Sequence, residues 1–212
     1  APAKAMTLSR LILRTSSHAA ASNVSSTAAP GIAGVVFTGS TDTAQIIARS
    51  MAQHLDPGTP LIAETGGLNA MIADSTALPE QAVRDVVASS FRSAGQRCSA
   101  LRMLYMQRDV AEPLLEMLQG AMDELRLGDP WELATDIGPV IETEARDGIA
   151  SYIAGQDKAG RLLKQVEAPA DGLFVPPMLI RLDSVEELTA EWFGPILHVA
   201  TWPAGELAQT VA

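Results

Sequence analysis

The chain has 212 residues, of which 47% are hydrophobic and 19% are charged, and its formal net charge is −10. This length suits one sizeable hydrophobic core, or one domain with part of another, and no apolar run approaches the roughly 20 residues of a membrane span. The acidic balance argues against a nucleic-acid partner, because non-specific affinity for nucleic acid depends on clustered Lys and Arg.

The first 31 residues differ in composition from the rest of the chain. Residues 1–41 contain Lys4, Arg10 and Arg14 but no acidic residue, and the stretch 8–30 is rich in Ser and Ala. This composition is typical of an organelle transit peptide, and it also fits a disordered or non-native lead-in. We favour the second interpretation, because the chain opens at Ala1 rather than at Met.

From residue 32 onward, short apolar runs bounded by Gly, Pro or Asp alternate with segments of helical periodicity. This alternation predicts an α/β fold with a mostly parallel sheet. The predicted strands are 32–38, 61–64, 69–73, 101–107 and 137–141, with a strand pair around 174–181. The predicted helices are 43–54, 79–93, 110–126 and 142–158.

Several side chains outside the motifs are predicted to have structural roles only. The histidines His18, His54 and His198 lack the spacing of a metal site or a catalytic triad, so we expect solvated or hydrogen-bonded core positions. The side chains predicted to pack in the interior or near loops are Ala44, Ile47, Ala48, Met51, Val83, Val86, Val87, Phe91, Met103, Met106, Met117, Met122, Trp131 and Trp202.

The first candidate site is a turn of small residues, Gly39-Ser40-Thr41, between a predicted strand and a predicted helix. Backbone amides at that helix start, aided by the Ser40 hydroxyl, would face an anion such as a pyrophosphate. Gly34 and Gly39 have P-loop spacing, but Ser40 stands where the phosphate-binding Lys must be, and the G-x-G-x-x-G fingerprint is absent. A plain helix N-cap by Ser40 or Thr41 is the alternative.

The second candidate is Cys98, the one cysteine of the chain, in the segment SAGQRCSA at 93–100. One cysteine cannot form an intramolecular disulfide, and with three scattered histidines it cannot make a zinc site. We therefore predict a free thiol, no metal and a reducing, cytoplasmic compartment. The polar loop and the neighbouring Arg97 would favour a nucleophilic thiolate, although many free cysteines are inert packing residues.

The third candidate is Glu64, which directly follows an apolar predicted strand and precedes Gly66 and Gly67. The carboxyl ends of strands are where α/β enzymes build their sites. Partial burial there would raise the proton affinity of the Glu64 carboxylate toward that of a general base. A solvated turn residue is the alternative.

Four motifs in a fixed order resemble one family. The segments FTGST at 37–41, ETGG at 64–67, GQRC at 95–98 and EWFGP at 191–195, with Glu64 and Cys98 34 positions apart, resemble the NAD-dependent aldehyde dehydrogenase superfamily. The resemblance runs from about residue 32 to the end. Within the superfamily, LIAETGGLNAMI and SAGQRCSALR resemble the glutamate-semialdehyde (pyrroline-5-carboxylate) dehydrogenase domain of bacterial bifunctional proline-utilisation flavoproteins.

The resemblance implies NAD-dependent oxidation of glutamate semialdehyde, a small-molecule aldehyde, to glutamate. Cys98 would form a thiohemiacetal and then a thioester, with the oxyanion held by the Cys98 backbone amide and one side-chain amide. Glu64 would activate the water that hydrolyses the thioester. Ser99 would help to bind the substrate carboxylate.

The resemblance also implies a binding site for NAD. Gly39 and Ser40 match the turn that faces the pyrophosphate. Glu191 matches the carboxylate that bonds the nicotinamide ribose, and Phe193 would pack near the nicotinamide.

An aldehyde-dehydrogenase-like fold implies three regions in this chain. Residues 1–31 are unmatched, residues 32–63 form the end of a Rossmann-like NAD-binding domain, and residues 64–212 form a catalytic domain truncated at its C-terminus. The Asn that completes the oxyanion hole and the Lys that grips the adenosine ribose cannot be placed, and Ala44 stands where many members have a second Gly. The chain also ends before the family's substrate-anchoring loop and oligomerisation strand. We therefore expect a fragment of an enzyme that is a homo-oligomer when intact and works with a proline dehydrogenase domain or chain.

Three alternative functions remain at this point. The chain could be a non-catalytic fragment, or an aldehyde dehydrogenase of other substrate specificity. The third alternative is a thiol acyltransferase or hydrolase that uses Cys98 without a dinucleotide, although the sequence offers no neighbouring His partner for it.

Overall fold

The computed structural model describes residues 12–14 and 32–211. The predicted lead-in character of residues 1–31 therefore falls almost wholly outside the described residues. The chain divides into two compact units, one ending at Gly66 and one beginning at Gly67. The assignment of these regions to cofactor-binding and catalytic domains stays a prediction.

In the residues that the structure describes, the first unit contains a parallel three-stranded sheet and the helix that connects two of its strands. Its strands are β1 (Ile12–Arg14), β2 (Val35–Thr38) and β3 (Leu61–Glu64), in the order β1-β2-β3. Helix α1 (Thr41–His54) connects β2 to β3. The predicted strand from residue 32 begins only at Val35, whose amide donates to the Pro60 carbonyl. Proline has no N–H with which to extend the ladder.

The core of this unit follows the expected periodicities. Buried and exposed residues alternate along β2, as in a strand with one covered face. Among the described residues of the unit, the buried hydrophobic ones are Val35, Phe37, Ala44, Ile47 and Met51. The prediction for Ala48 was wrong, because this residue lies on the exposed side of α1.

The second unit is built on a five-stranded sheet in the order β4-β5-β8-β7-β6. Neighbouring strands are parallel except for β6 and β7, which pair antiparallel. The prediction of an α/β fold with a mostly parallel sheet is therefore confirmed. The strands are β4 (Ala70–Ala73), β5 (Met103–Gln107), β6 (Leu162–Gln165), β7 (Met178–Arg181) and β8 (Ile196–Trp202).

The four helices of this unit are α2 (Pro79–Phe91), α3 (Arg108–Asp123), α4 (Thr143–Lys158) and α5 (Leu207–Val211), with 3-10 turns at Arg92–Gly95 and Val185–Glu187. Pro79 occupies the start of α2, where its missing N–H costs nothing. Helices α2 and α3 pack against each other. Helix α3 buries one face, made of Ala111, Leu114, Leu115, Leu118 and Met122.

Two of the packing residues predicted in the second unit are exposed. Met117 lies off the buried face of α3, and the Trp131 side chain is 92% exposed in the loop after Pro130. The other predicted methionines, Met103, Met106 and Met122, are buried as expected, and so is Trp202.

The central strand β8 was not predicted. Every residue of β8 except Thr201 is buried, and β8 pairs with β5 on one side and β7 on the other. The predicted strand 137–141 is wrong, since Ile137 forms only an isolated bridge with Leu127. In the predicted strand pair around 174–181, β7 is present, but its antiparallel partner is the earlier β6. Among the residues described, no helix is both long and apolar enough to cross a membrane.

Candidate active site

The loop that carries Cys98 begins with a strained turn. Helix α2 stops at Phe91, two residues before the predicted end, because Ser93, Ala94 and Gly95 adopt φ values of 56°, 52° and 63°. The left-handed region costs an L-residue about 1–2 kcal/mol, so contacts elsewhere must hold this turn in place. A Cβ on Gly95 would lie 2.0 Å from the Gly194 carbonyl oxygen, and only glycine fits there.

Cys98 lies on the surface of this loop and does not fill the core. Its thiol is free and exposed, and so are the flanking Arg97 and Ser99. The loop closes with a bond from the Ala100 amide to the Arg97 carbonyl, at 3.0 Å. Exposure removes the alternative of an inert packing residue and leaves the sulfur accessible to an electrophile.

Asn69 ties the cysteine loop to the start of β4. Its side-chain amide donates to the Cys98 carbonyl at 2.7 Å and to the Ala100 carbonyl at 3.0 Å. The backbone carbonyl of Asn69 accepts from the amides of Arg102 and Met103, at 2.9 and 3.1 Å. The sequence analysis gave Asn69 no role, although it stands within one of the family motifs.

A buried arginine connects the cysteine loop with the segment before β8. The Arg102 side chain is 1% exposed. Its Nη1 donates to the carbonyls of Gly95 at 2.7 Å and Gly194 at 3.3 Å. Its Nη2 donates to the Arg97 carbonyl at 3.1 Å and to Glu191 Oε1 at 3.3 Å. One guanidinium therefore joins two motifs that lie about ninety residues apart in the chain.

Burial and charge act in opposite directions on Arg102. Burial lowers the pKa of Arg102 from its ordinary value, while the hydrogen bond and charge of Glu191, and the charge of Cys98, raise it. The ion pair with Glu191 compensates the buried cation, as a buried charge requires. No role was predicted for Arg102 either, although it is the last residue of the segment SAGQRCSALR, because its partner Glu191 lies 89 positions away in the sequence.

Glu191 and Phe193, the predicted cofactor residues of this unit, both lie beside Arg102. Glu191 is 12% exposed at the side chain, and its second oxygen, Oε2, accepts from the Gly67 amide at 3.0 Å. Each carboxylate oxygen has two lone pairs, so Glu191 retains acceptor capacity for a ribose hydroxyl. Phe193 is 44% exposed, and its ring centroid lies 5.4 Å from the Arg102 guanidinium carbon.

In the first unit, Gly39 and Ser40 form the expected turn. Ser40 is the N-cap of α1, and its hydroxyl accepts from the Thr43 amide at 3.2 Å. The amides of the first helical turn have no intrahelical partner, so the N-cap geometry is compatible with an anion at the same place. A Cβ on Gly39 would lie 2.5 Å from the Phe37 ring. The role of Gly39 and Ser40 in binding a pyrophosphate stays a prediction.

Glu64 is the last residue of β3 and pairs with Thr38 of β2. The Glu64 carbonyl accepts from the Gly39 amide at 3.1 Å, so the turn predicted to face the pyrophosphate and the predicted base lie on adjacent strand ends. The expected partial burial was wrong, because the Glu64 side chain is exposed. Its proximity to Cys98 stays a prediction.

His198 is buried and contacts the main chain of Arg102. The His198 Nδ1 contacts the Arg102 carbonyl at 3.0 Å, and Nε2 contacts the Tyr152 hydroxyl at 2.8 Å. A carbonyl can only accept, so Nδ1 donates and the neutral ring accepts at Nε2. Burial lowers the pKa of His198 from 6.5 to about 4. The expectation of a hydrogen-bonded core histidine holds for His198, whereas His54 is exposed and His18 lies outside the described residues.

Within 12–14 and 32–211, no group of three or more His, Cys, Asp or Glu side chains could hold a metal ion.

Comparison with known proteins places this arrangement in a family. The sequence profile of the aldehyde dehydrogenase family matches residues 14–211, and the chain belongs to that family. The match starts within the segment 1–31, for which the motifs gave no resemblance.

Several of the similar proteins are bifunctional and much longer than this chain. The bifunctional protein PutA of Klebsiella aerogenes is 53% identical over 191 residues, which is 85% of this chain and 15% of that protein. PutA of Escherichia coli is 49% identical over 85% of this chain and 14% of its own length. A crystal structure of a mutant proline utilization A (PutA) from Bradyrhizobium japonicum has a TM-score of 0.84 and 51% identity, covering 89% of this chain and 19% of that one. The chain thus spans about 15% of the length of these curated relatives.

Proposed function

We propose that this chain is part of an enzyme that oxidises L-glutamate γ-semialdehyde, derived from pyrroline-5-carboxylate, to L-glutamate with NAD in proline catabolism. One observation carries the proposal. In a member of the aldehyde dehydrogenase family, the one cysteine is exposed on a loop that two polar side chains hold in place, the partly buried Asn69 and the buried Arg102. An accessible thiol on a rigid support is what covalent catalysis at a carbonyl requires.

In the proposed reaction, the Cys98 thiolate attacks the aldehyde carbon. A carbon–sulfur bond forms, and the π electrons of the carbonyl move to oxygen, which gives a thiohemiacetal oxyanion. The Cys98 backbone N–H donates to that oxyanion. Such preorganised donors stabilise charge that develops in the transition state.

NAD, when bound, would supply the acceptor for the hydride that oxidation of an aldehyde to an acid releases. Gly39 and Ser40 would hold its pyrophosphate at the start of α1. Glu191, already oriented by Arg102 and Gly67, would accept from a hydroxyl of the nicotinamide ribose. The exposed Phe193 ring would pack near the nicotinamide.

Glu64 would complete the cycle as a general base. It would take a proton from water, the water oxygen would attack the carbon of the Cys98 thioester, and the carbon–sulfur bond would break to release glutamate and the thiolate. Ser99, exposed next to the nucleophile, would bind the substrate carboxylate. The proline dehydrogenase domain and the oligomeric state of the intact enzyme remain part of the proposal.

The test is formation of NADH by the chain with glutamate semialdehyde, measured by absorbance. We expect turnover in the wild type and none in Cys98→Ser, which replaces the nucleophilic sulfur with an oxygen and changes nothing else. Circular dichroism shows whether the variant is folded. Absence of both turnover and calorimetric NAD binding would favour a non-catalytic fragment. Ester hydrolysis that is indifferent to added NAD would favour a thiol hydrolase.

A further inference from the structure

We propose that Arg102 is a positioning residue that aims the Cys98 backbone N–H at the substrate oxyanion. The inference rests on the proposed function, in which that N–H is an oxyanion donor. Arg102 is buried and contacts no substrate position directly, so it acts through the peptide between Arg97 and Cys98.

The argument starts from the geometry of one peptide group. The Arg97 carbonyl and the Cys98 N–H belong to the same peptide plane, and in a trans peptide these two groups point in opposite directions. Arg102 Nη2 donates to that carbonyl at 3.1 Å. Fixing the oxygen on the buried side of the plane therefore fixes the direction of the N–H on the other side.

The guanidinium is itself firmly held. Its four side-chain hydrogen bonds go to three backbone carbonyls and one carboxylate. The main chain of Arg102 is anchored as well, because its amide donates to the Asn69 carbonyl and its carbonyl accepts from the His198 amide, both at 2.9 Å. A planar fork with fixed donors can serve these acceptors together, which the single ammonium of Lys cannot do.

Two further effects favour a role in catalysis beyond simple support. A charged donor on the carbonyl polarises the peptide, and hydrogen bonds in a chain strengthen one another, so the Cys98 N–H becomes a better donor. The same Nη2 also contacts Glu191 Oε1. Arg102 thus sets the direction of the oxyanion donor and of the predicted ribose-binding carboxylate together.

Two electrophiles distinguish loss of the oxyanion donor from a general loss of loop structure that would lower the reactivity of the Cys98 thiol. Iodoacetamide is attacked at a saturated carbon, where the sulfur displaces iodide and no oxyanion forms. p-Nitrophenyl acetate is attacked at its carbonyl, where a tetrahedral oxyanion forms before p-nitrophenolate leaves and the acetyl group stays on sulfur. Neither reaction uses NAD. The ratio of acylation to alkylation rates therefore reports the oxyanion donor, independently of the reactivity of the thiolate.

The key variant is Arg102→Lys, which keeps the positive charge. Losing an oxyanion donor costs about 10²–10³ in rate, so a loosened donor is expected to lower the acylation-to-alkylation ratio about 10-fold. Arg97→Lys is the matched control, because it makes the same exchange on an exposed side chain and leaves the Arg97 carbonyl in place. We expect it to leave the ratio unchanged.

Each outcome decides between the two proposals. An unchanged ratio in folded Arg102→Lys overturns the positioning role and leaves the proposed function standing. A wild-type chain that acylates but forms no NADH from glutamate semialdehyde contradicts the proposed function alone, and one that alkylates without acylating contradicts both. If Arg102→Lys does not fold, NMR of the labelled wild type decides, since a scalar coupling from the Arg102 guanidinium to the Arg97 carbonyl carbon must be present.

Discussion

Acidification should destabilise the second unit through His198. The neutral ring donates to the Arg102 carbonyl and accepts from Tyr152, and burial lowers its pKa from 6.5 to about 4. Between these two values the unfolded chain binds a proton that the folded chain does not. Stability therefore rises with pH across this window, is fully present above pH 6.5, and is lost as the pH falls toward 4.

The magnitude follows from the difference in pKa. The full difference corresponds to about 3 kcal/mol, and at pH 5, where the unfolded histidine is mostly protonated and the buried one mostly neutral, the loss is about 2 kcal/mol. Carboxylates titrate in the same range, so the quantity to measure is a difference. The free energy of unfolding should fall between pH 7.5 and pH 5 by about 2 kcal/mol more in the wild type than in His198→Gln.

Urea unfolding followed by tryptophan fluorescence provides the assay. All three tryptophans lie beyond Gly67, and Trp192 stacks on Tyr152, the partner of His198. His54→Gln is the matched control, because it removes an exposed histidine from the other unit. We expect its free energy of unfolding to change with pH as in the wild type. The reasoning would be refuted if the free energy of unfolding changed with pH in the same way in His198→Gln and in the wild type. An NMR titration in which the His198 imidazole titrates near pH 6.5 would refute it as well.

Three further substitutions test the site. Glu64→Gln should leave the acylation of Cys98 intact but slow the release of the acyl group, because an amide cannot take the proton from water; a pre-steady-state burst followed by slow turnover would show this. Gly95→Ala should destabilise the unit by about 3 kcal/mol in urea unfolding, since it adds left-handed strain to a backbone clash with Gly194. Asn69→Ala should cost about 1–3 kcal/mol in the same assay, because two carbonyls of the cysteine loop lose their donor.

The outcomes that would count against these expectations are equally specific. Unchanged steady-state turnover in Glu64→Gln would remove its assignment as the base. A Gly95→Ala chain as stable as the wild type would mean that the turn after α2 relaxes without cost. Faster alkylation of Cys98 in Asn69→Ala, with unchanged stability, would assign Asn69 to loop mobility rather than to folding.

The sequence predicted those parts of the fold that depend on local patterns. Helix α1 and strand β3 were found because their periodicity and their capping or bounding residues lie within a few positions of one another. The strand β8 was overlooked although its mainly apolar run, interrupted only by His198 and Thr201, is the pattern of a central parallel strand. The segment 137–141 was assigned to a strand on apolar content alone, and in the fold it pairs at one residue only.

The side chains that hold the site together could not be predicted in the same way. Asn69 meets the Cys98 carbonyl across 29 positions of sequence, and Arg102 meets Glu191 across 89. A single sequence contains no local signal for such pairs, because the contact exists only after β4, β5 and β8 have come together. Motifs identified the candidate nucleophile Cys98 and the candidate cofactor-binding carboxylate of Glu191, but the side chains that orient them became visible only in the fold.

The late position of β8 has a consequence for synthesis on the ribosome. Strands β4 and β5 emerge first and β6 and β7 well afterwards, yet β5 and β7 are joined only through β8. Until residues 196–202 leave the exit tunnel, each half of the sheet carries an unpaired edge, which is a template for association with other nascent chains. The five-stranded sheet can form completely only after β8 has been synthesised. The strand order therefore leaves sheet edges accessible to chaperones during translation.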